Sequence, residues 1–261
     1  MSDIRIINHK LTGDEFYWES TPNMGGVIVP EILVLHDTAG RLDKFNSVGW
    51  LRQKRAKASA HLVLERDGTW TQMVPFNRKA FHAGKSNYRG RANVNNFSLS
   101  IEIVNVGRMD EDGMTWWKQD FSDHEGLKCL ETKEHGSGCW LDYTEAQLSE
   151  IRKMSHALVD KYNLKDIVGH FEVSPRRKVD TNPLFPLEQL KAEVFGRDDY
   201  DYDGYVTVNL RVRERPDTDS KIVDTLKAGT EIDIVSRAGD WFVIYYMGEN
   251  YFIHGDYVKE Y

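Results

Sequence analysis

The 261-residue sequence predicts an α/β (α+β) domain with a central mixed sheet flanked by helices, followed by a small all-β barrel. Three observations carry that expectation. Strand-like and helix-like periodicities interleave over the first two hundred residues. Beyond them, five short strand-like runs separated by turn signals fill about sixty residues, the pattern of a small barrel. The charge balance shifts at the same place, because the last 61 residues hold five of the seven net negative charges. The implied division is 1–197, an acidic linker over 198–203, and 204–261.

In chain order, Ile32-Leu-Val-Leu35 is a continuous apolar run suited to a buried strand, and it ends on the polar turn His36-Asp-Thr-Ala-Gly40. Phe45 to Arg55 reads as a helix. His61 to Arg66 and Thr69 to Val74 read as two strands around a two-residue Asp67-Gly68 turn. Phe97 to Val104 is a strand in which Leu99, Ile101 and Ile103 alternate with Ser98, Ser100 and Glu102, so Glu102 points away from the apolar face. Residues 107–140, with five glycines, both cysteines and many charges, read as a long surface insertion. Thr144 with Gln147 forms a capping-box pattern, and Leu148, Ile151, Met154, Leu158 and Tyr162 recur at helical steps, which predicts an amphipathic helix over 144–163. Ile167-Val-Gly-His170 is a strand leading into a loop, Phe171 to Pro186, stiffened by Pro175, Pro183 and Pro186. The barrel strands are expected at 206–212, 221–226, 231–236, 241–246 and 250–254.

Composition narrows the function classes. Hydrophobic residues at 40% are enough for a packed core, which excludes a disordered chain. A net charge of -7 offers no general attraction for nucleic acid or an anionic membrane. No window approaches the ~20 apolar residues of a membrane span, and the first sixteen residues lack the apolar stretch of a signal peptide. The expectation is therefore synthesis in the cytoplasm. Cys129 and Cys139 read as free thiols there, with a single bridge open to them after export. Asp199, Asp201 and Asp203 before Gly204 mimic the start of a calcium loop, yet position twelve is Leu210 where a bidentate Glu is needed; an acidic linker is preferred.

Two of the nine histidines, His36 and His170, close apolar strands and face irregular loops. Ten residues after His170, Lys178-Val-Asp180 adds a cation and a carboxylate on a proline-stiffened loop. Two imidazoles and one carboxylate make a zinc set that leaves a fourth tetrahedral position open, the arrangement of catalytic rather than structural sites.

The order of short motifs resembles the zinc-dependent N-acetylmuramoyl-L-alanine amidases related to phage-type amidases and peptidoglycan recognition proteins. The resemblance covers about residues 20–195. It runs through Thr21-Pro-Asn23, Val34-Leu-His-Asp-Thr-Ala39, Ser59-Ala-His61, Arg66-Asp-Gly68, Phe81-His-Ala-Gly84, Ser98-Leu-Ser-Ile-Glu102, Tyr143-Thr-Glu-Ala-Gln147, Val168-Gly-His170 and Arg177-Lys-Val-Asp180. Phe81-His-Ala-Gly84 and Arg177-Lys-Val-Asp180 look closest to the branch that holds the cytoplasmic amidase of peptidoglycan recycling. The resemblance implies one zinc per chain held by His36, His170 and Asp180, Glu102 as catalytic carboxylate, Lys178 as the cation beside the reacting carbonyl, and His82 in contact with substrate. Ser100, Arg176 and Thr181-Asn-Pro183 depart from the usual pattern, which bears on loop shape and substrate choice.

The segment Val208-Asn-Leu-Arg-Val-Arg-Glu-Arg-Pro216, with Leu226-Lys-Ala-Gly229 and Trp241-Phe-Val243, resembles the bacterial SH3-like domains that accompany cell-wall hydrolases. The leading expectation is cleavage of the bond between N-acetylmuramic acid and L-alanine in peptidoglycan by an endolysin-like enzyme acting on the wall after release. The alternatives are a cytoplasmic muropeptide amidase of recycling, a non-catalytic peptidoglycan-binding protein, and a peptidase on the same metal chemistry. Expected partners are peptidoglycan or muropeptides, with no nucleic acid and no membrane insertion.

Overall fold

The computed structural model describes residues 4–196, 203–232, 234–246 and 249–260. The chain forms two compact units. One comprises Met1–Arg108, Tyr143–Asn182 and Glu193–Phe195, and the other Met109–Asp142, Pro183–Ala192 and Gly196–Tyr261. The expected linker at 198–203 lies outside the described residues except for Asp203.

The first unit is built on a six-stranded mixed sheet. In chain order its strands are β1 (Phe16–Trp18), β2 (Ile32–Asp37), β3 (Leu62–Leu64), β4 (Trp70–Gln72), β5 (Ser98–Ile103) and β6 (Asp166–Gly169). Its helices include α1 (Asn46–Leu51), α2 (Glu145–Tyr162) and α3 (His170–Val173). The lateral order is β6-β2-β5-β3-β4-β1. β6, β2, β5 and β3 run parallel, and β4 turns back antiparallel to β3. Every residue of β2 is buried, as a central parallel strand covered on both faces requires.

Register decides where the polar ends fall. Ser98, Ser100 and Glu102 stand opposite Ile32, Val34 and His36, while Gly169 stands opposite Leu35. Alternation therefore puts His36 and Glu102 on one face, the face on which Ile32, Val34 and Val168 pack with Ala83, Val94, Phe97 and Val173. The chain leaves β6 at His170, one step past Leu35's level and beside His36. Three neighbouring parallel strands thus deliver His170, His36 and Glu102 to their carboxyl ends, where open α/β sheets place ligand sites.

Helix α2 starts on the expected capping box: Thr144 Oγ accepts from Gln147 N–H, and Gln147 Oε1 accepts from Thr144 N–H. The Gln147 amide also donates to the Val104 carbonyl at 3.0 Å, and Trp70 Nε1 donates to Glu150 at 3.1 Å, which ties α2 to β4 and to the end of β5. The hairpin between β3 and β4 differs from the two-residue turn expected. Glu65 pairs with Thr69, so Arg66, Asp67 and Gly68 form a three-residue loop whose last member takes φ +87°, a type I turn closed by a glycine bulge.

In the second unit, a seven-stranded sheet runs in the lateral order Gly136–Leu141, Leu127–Thr132, Ile234–Ala238, Trp241–Tyr246, Glu249–His254, Leu210–Arg213 and Ile222–Leu226. A three-stranded sheet joins Glu231–Ile232, Gly204–Val206 and Val258–Glu260. Val206, Leu210, Val212, Leu226, Ile232, Phe242, Ile244 and Ile253 form a common core in this region. The 107–140 segment is more than a surface insertion. Its hairpin, Leu127–Thr132 against Gly136–Leu141, extends the C-terminal sheet where Glu131 pairs with Arg237. Cys129 and Cys139 face each other across that hairpin and are bonded as a disulfide, in place of the two free thiols expected.

Candidate metal centre

His36 is the fifth residue of β2 and is 1% exposed; His170, the first residue of α3, is 2% exposed. Asp180 is brought to them because the Phe171 N–H donates to the Asp180 carbonyl at 2.7 Å, which closes the loop after β6 on itself. The three donor atoms then converge. His36 Nδ1 and His170 Nδ1 are 2.9 Å apart, and Asp180 Oδ2 lies 3.1 Å from the first and 2.8 Å from the second.

Hydrogen bonding alone does not account for this triangle. Two imidazole nitrogens and a carboxylate oxygen at mutual contact share at most the protons that neutral rings carry, and each proton placed inside leaves another lone pair facing a lone pair. A tetrahedral site with bonds of 2.0–2.1 Å spaces its ligands by roughly 3.3 Å, a few tenths of an ångström wider than this triangle. The residues therefore fit a zinc-type ion after a small outward adjustment. Among the described residues, this is the one group of three His, Cys, Asp or Glu side chains with donors so placed.

The surroundings favour the ligating forms. Burial, and then the neighbouring His170, pull His36 down to about 4, which keeps it neutral. Burial opposes ionisation of Asp180, but the His170 and His36 rings in contact with it more than offset that and hold its carboxyl well below the usual range. His170 Nε2 lies between the Ala83 carbonyl, which can only accept, at 3.2 Å and the Arg177 guanidinium, which can only donate, at 3.3 Å, while Nδ1 faces the other two donor atoms.

Glu102, half-buried, is His36's partner in the parallel register. Burial, followed by the negative charges of Asp180 and Asp37, pushes its carboxyl up to about 8, while Lys178 pulls it down. A bound dication would oppose that rise. Lys178 is half-buried, with its N–H on the Ser174 carbonyl, and its charge is felt at both Glu102 and His36. Five residues singled out from the sequence are thus gathered in one place. His82, expected to meet substrate, has both ring nitrogens within hydrogen-bonding distance of protein partners, Nδ1 at 2.9 Å from His36 Nε2 and Nε2 at 3.0 Å from Ser98 Oγ.

Sequence reasoning passed over a support beneath the centre. Asp37, buried, accepts from Tyr143 Oη–H at 2.5 Å and from the Asn182 N–H at 2.9 Å, so it clamps the chain just beyond Asp180. Burial pushes the Asp37 carboxyl up to about 7, against the lowering hydrogen bond from Tyr143. Its signal was a carboxylate next to a ligand histidine in a strand otherwise fully apolar. Arg177 Nη2 donates to the Ala83 carbonyl at 2.6 Å and to Ser174 Oγ at 2.6 Å, which fixes the loop that carries Lys178.

A two-histidine, one-carboxylate centre with an acid and an ammonium beside it, set at the carboxyl ends of parallel strands, has the make-up of an open, hydrolytic metal site. The chain belongs to the N-acetylmuramoyl-L-alanine amidase family, whose model matches residues 27–183. Residues 208–259 match the bacterial SH3 domain. The chain is 33% identical over 140 residues to the 1,6-anhydro-N-acetylmuramyl-L-alanine amidase AmpD of Escherichia coli (strain K12), a match covering 53% of this chain and 59% of that protein. It is 27% identical over 176 residues to the N-acetylmuramoyl-L-alanine amidase AmiD of the same strain, covering 64% of this chain and 54% of that protein. The chain thus spans somewhat more than half the length of these curated relatives. A crystal structure of a selenomethionine AmpD derivative superposes with a TM-score of 0.50 at 22% identity, covering 73% of this chain and 99% of that one, a likeness of fold.

Proposed function

We propose that this chain hydrolyses the amide bond between N-acetylmuramic acid and L-alanine, with one zinc ion held by His36, His170 and Asp180. The convergence of those three donor atoms beside Glu102 and Lys178 is the observation that carries the reading. Zinc bound there supplies the Lewis acidity that makes water a competent nucleophile near neutral pH. Glu102 takes the proton from the attacking water and returns it to the departing amine of L-alanine; a carboxyl whose surroundings hold it close to neutrality is suited to both transfers. Lys178 offsets the negative charge that grows on the former carbonyl oxygen. The Asp37 clamp and the Arg177 contacts keep Asp180 and Lys178 in place while charge moves.

Soluble muropeptides are the first substrates we assign. Relatives named for the 1,6-anhydro-N-acetylmuramyl-L-alanine bond support that choice more than they support a cell-wall lysin. A second reading, action on the wall polymer, is favoured by two specific features: the bacterial SH3 match and the Cys129–Cys139 bridge, since disulfides persist in oxidising compartments. On this reading residues 1–197 carry the catalysis and 204–261 the grip on the wall. No helix among the described residues is long and apolar enough to cross a membrane.

Mass spectrometry of digests decides among these readings. Release of peptides beginning with L-alanine from soluble anhydromuropeptides but not from intact sacculi supports the first, and release from both supports the second. Cuts inside the peptide would establish a peptidase, and binding without cleavage a recognition protein.

A further inference from the structure

His82 has no part in the proton and charge movements above, yet its ring and its backbone are both held by hydrogen bonds. Its N–H and that of Ala83 both donate to Asn95 Oδ1, at 3.3 and 2.8 Å. Just before it, the Phe81 N–H donates to Ser59 Oγ and the Phe81 carbonyl accepts from the Ser59 N–H. The backbone around the ring is therefore held on both sides.

The positions of the ring protons follow from the far end of a short chain of hydrogen bonds. The Val94 carbonyl can only accept, so the Ser98 hydroxyl, 2.8 Å away, spends its one hydrogen there. Towards His82, Ser98 Oγ is then an acceptor, and the hydrogen between them belongs to His82 Nε2. A neutral ring with its hydrogen on Nε2 has a lone pair on Nδ1, which accepts from His36 Nε2–H at 2.9 Å. His36 is left with a lone pair on Nδ1, the atom that faces Asp180 and His170. The reverse polarity would put a hydrogen on that atom and remove His36 from the donor set.

At the other imidazole, His170 Nε2 is flanked by the Ala83 carbonyl at 3.2 Å and by Arg177 Nη2 at 3.3 Å. Two consecutive residues, one through its ring and one through its backbone, thus face the outer nitrogens of both ligand histidines.

We infer that His82 is a positioning residue: anchored by Ser98 on the Val94 carbonyl, it sets the tautomer and ring angle of His36 so that Nδ1 faces the metal. This rests on the zinc reading above. Partners of this kind, when removed, typically lower metal affinity about 10–100-fold.

The test compares zinc affinity, measured by chelator competition, in the full chain and in His82→Phe, His82→Asn and Ser98→Ala. His82→Phe keeps a ring in the space but offers no acceptor, and its zinc affinity should fall about 10–100-fold. His82→Asn loses the ring but can present an amide oxygen near the place of Nδ1, and it should recover most of that loss. Ser98→Ala should weaken zinc in the same direction and by less. A packing role predicts the opposite ranking of the two His82 variants, so Phe matching wild type while Asn falls overturns the proposal. Imidazole nitrogen shifts from NMR give a readout free of zinc and of turnover: His82 should carry its hydrogen on Nε2 in the wild-type chain, and a hydrogen on Nδ1 refutes the relay. A wild type that takes up no zinc refutes the metal reading, and the nitrogen shifts still decide the relay; absence of amidase activity with normal zinc binding refutes the assigned reaction alone.

Discussion

Acidification should destabilise the first unit through His61, a buried residue that touches no metal ligand by hydrogen bond. Its Nε2–H donates to the Arg78 carbonyl at 2.8 Å and its Nδ1 accepts from the Ser100 N–H at 3.1 Å, so both nitrogens are used in the neutral form. Burial pulls its pKa down to about 4, against the opposing hydrogen bond to Arg78. In the unfolded chain the ring titrates near the ordinary 6.5. Between those values the unfolded state binds more protons than the folded one, so stability falls as pH drops from 6.5 and the loss is complete below about 4. At 1.36 kcal/mol per pH unit the gap amounts to about 3 kcal/mol, of which about 2 kcal/mol is gone by pH 5. His61→Gln, which cannot titrate, should lack this component. Hydrogen exchange of the β3 and β5 amides, converted to opening free energies from pH 7.5 to 4, reads it as the difference between wild type and variant. Parallel curves for the two proteins across that range would refute the reasoning.

Asp180→Ala should abolish stoichiometric zinc in metal analysis of the purified protein, because it removes the oxygen that touches both imidazole nitrogens. Glu102→Gln should keep zinc and substrate binding while turnover drops about 10²–10⁴-fold, the usual worth of general acid–base catalysis, as measured by release of L-alanine-terminated peptide. Lys178→Met should cost about 10²–10³-fold in the same assay and move the pH limb set by Glu102 upward, because the cation that lowers that carboxyl is gone. Replacing Cys129 and Cys139 by Ser should lower the stability of the second unit by about 2–3 kcal/mol, the chain-entropy value for a bridge between positions ten residues apart, read as a shift in urea midpoint.

The strands that carry chemistry were legible because a parallel sheet writes itself as apolar runs that end in polar residues. Ile32–Leu35 and Ile167–Gly169 did so, and the alternation of Leu99, Ile101 and Ile103 with Ser98, Ser100 and Glu102 announced which face would hold the carboxylate. Lateral neighbours were harder to foresee. The pairing of Glu131 with Arg237 joins two polar residues a hundred positions apart, with no periodicity to point from one to the other. The clamp of Asp37, Tyr143 and the Asn182 backbone was hidden for a related reason, since one of its partners is an N–H that every residue but proline possesses. His82 was singled out by motif, but its bond to Ser98, and through that hydroxyl to the Val94 carbonyl, involves a backbone group that no side-chain pattern reveals.

The hairpin Leu127–Thr132/Gly136–Leu141 bears on how such a chain can be recombined. A C-terminal barrel joined by a tail is a cassette, exchangeable by cutting between the last helix and the first barrel strand. Here the cassette's sheet borrows two strands from a segment encoded between β5 and α2. A swap at residue 198 would leave the strand Leu127–Thr132 with an unpaired edge, an invitation to aggregate, and would leave the incoming barrel without its outer strands. Exchange of the barrel should therefore succeed only when the insertion is exchanged together with it.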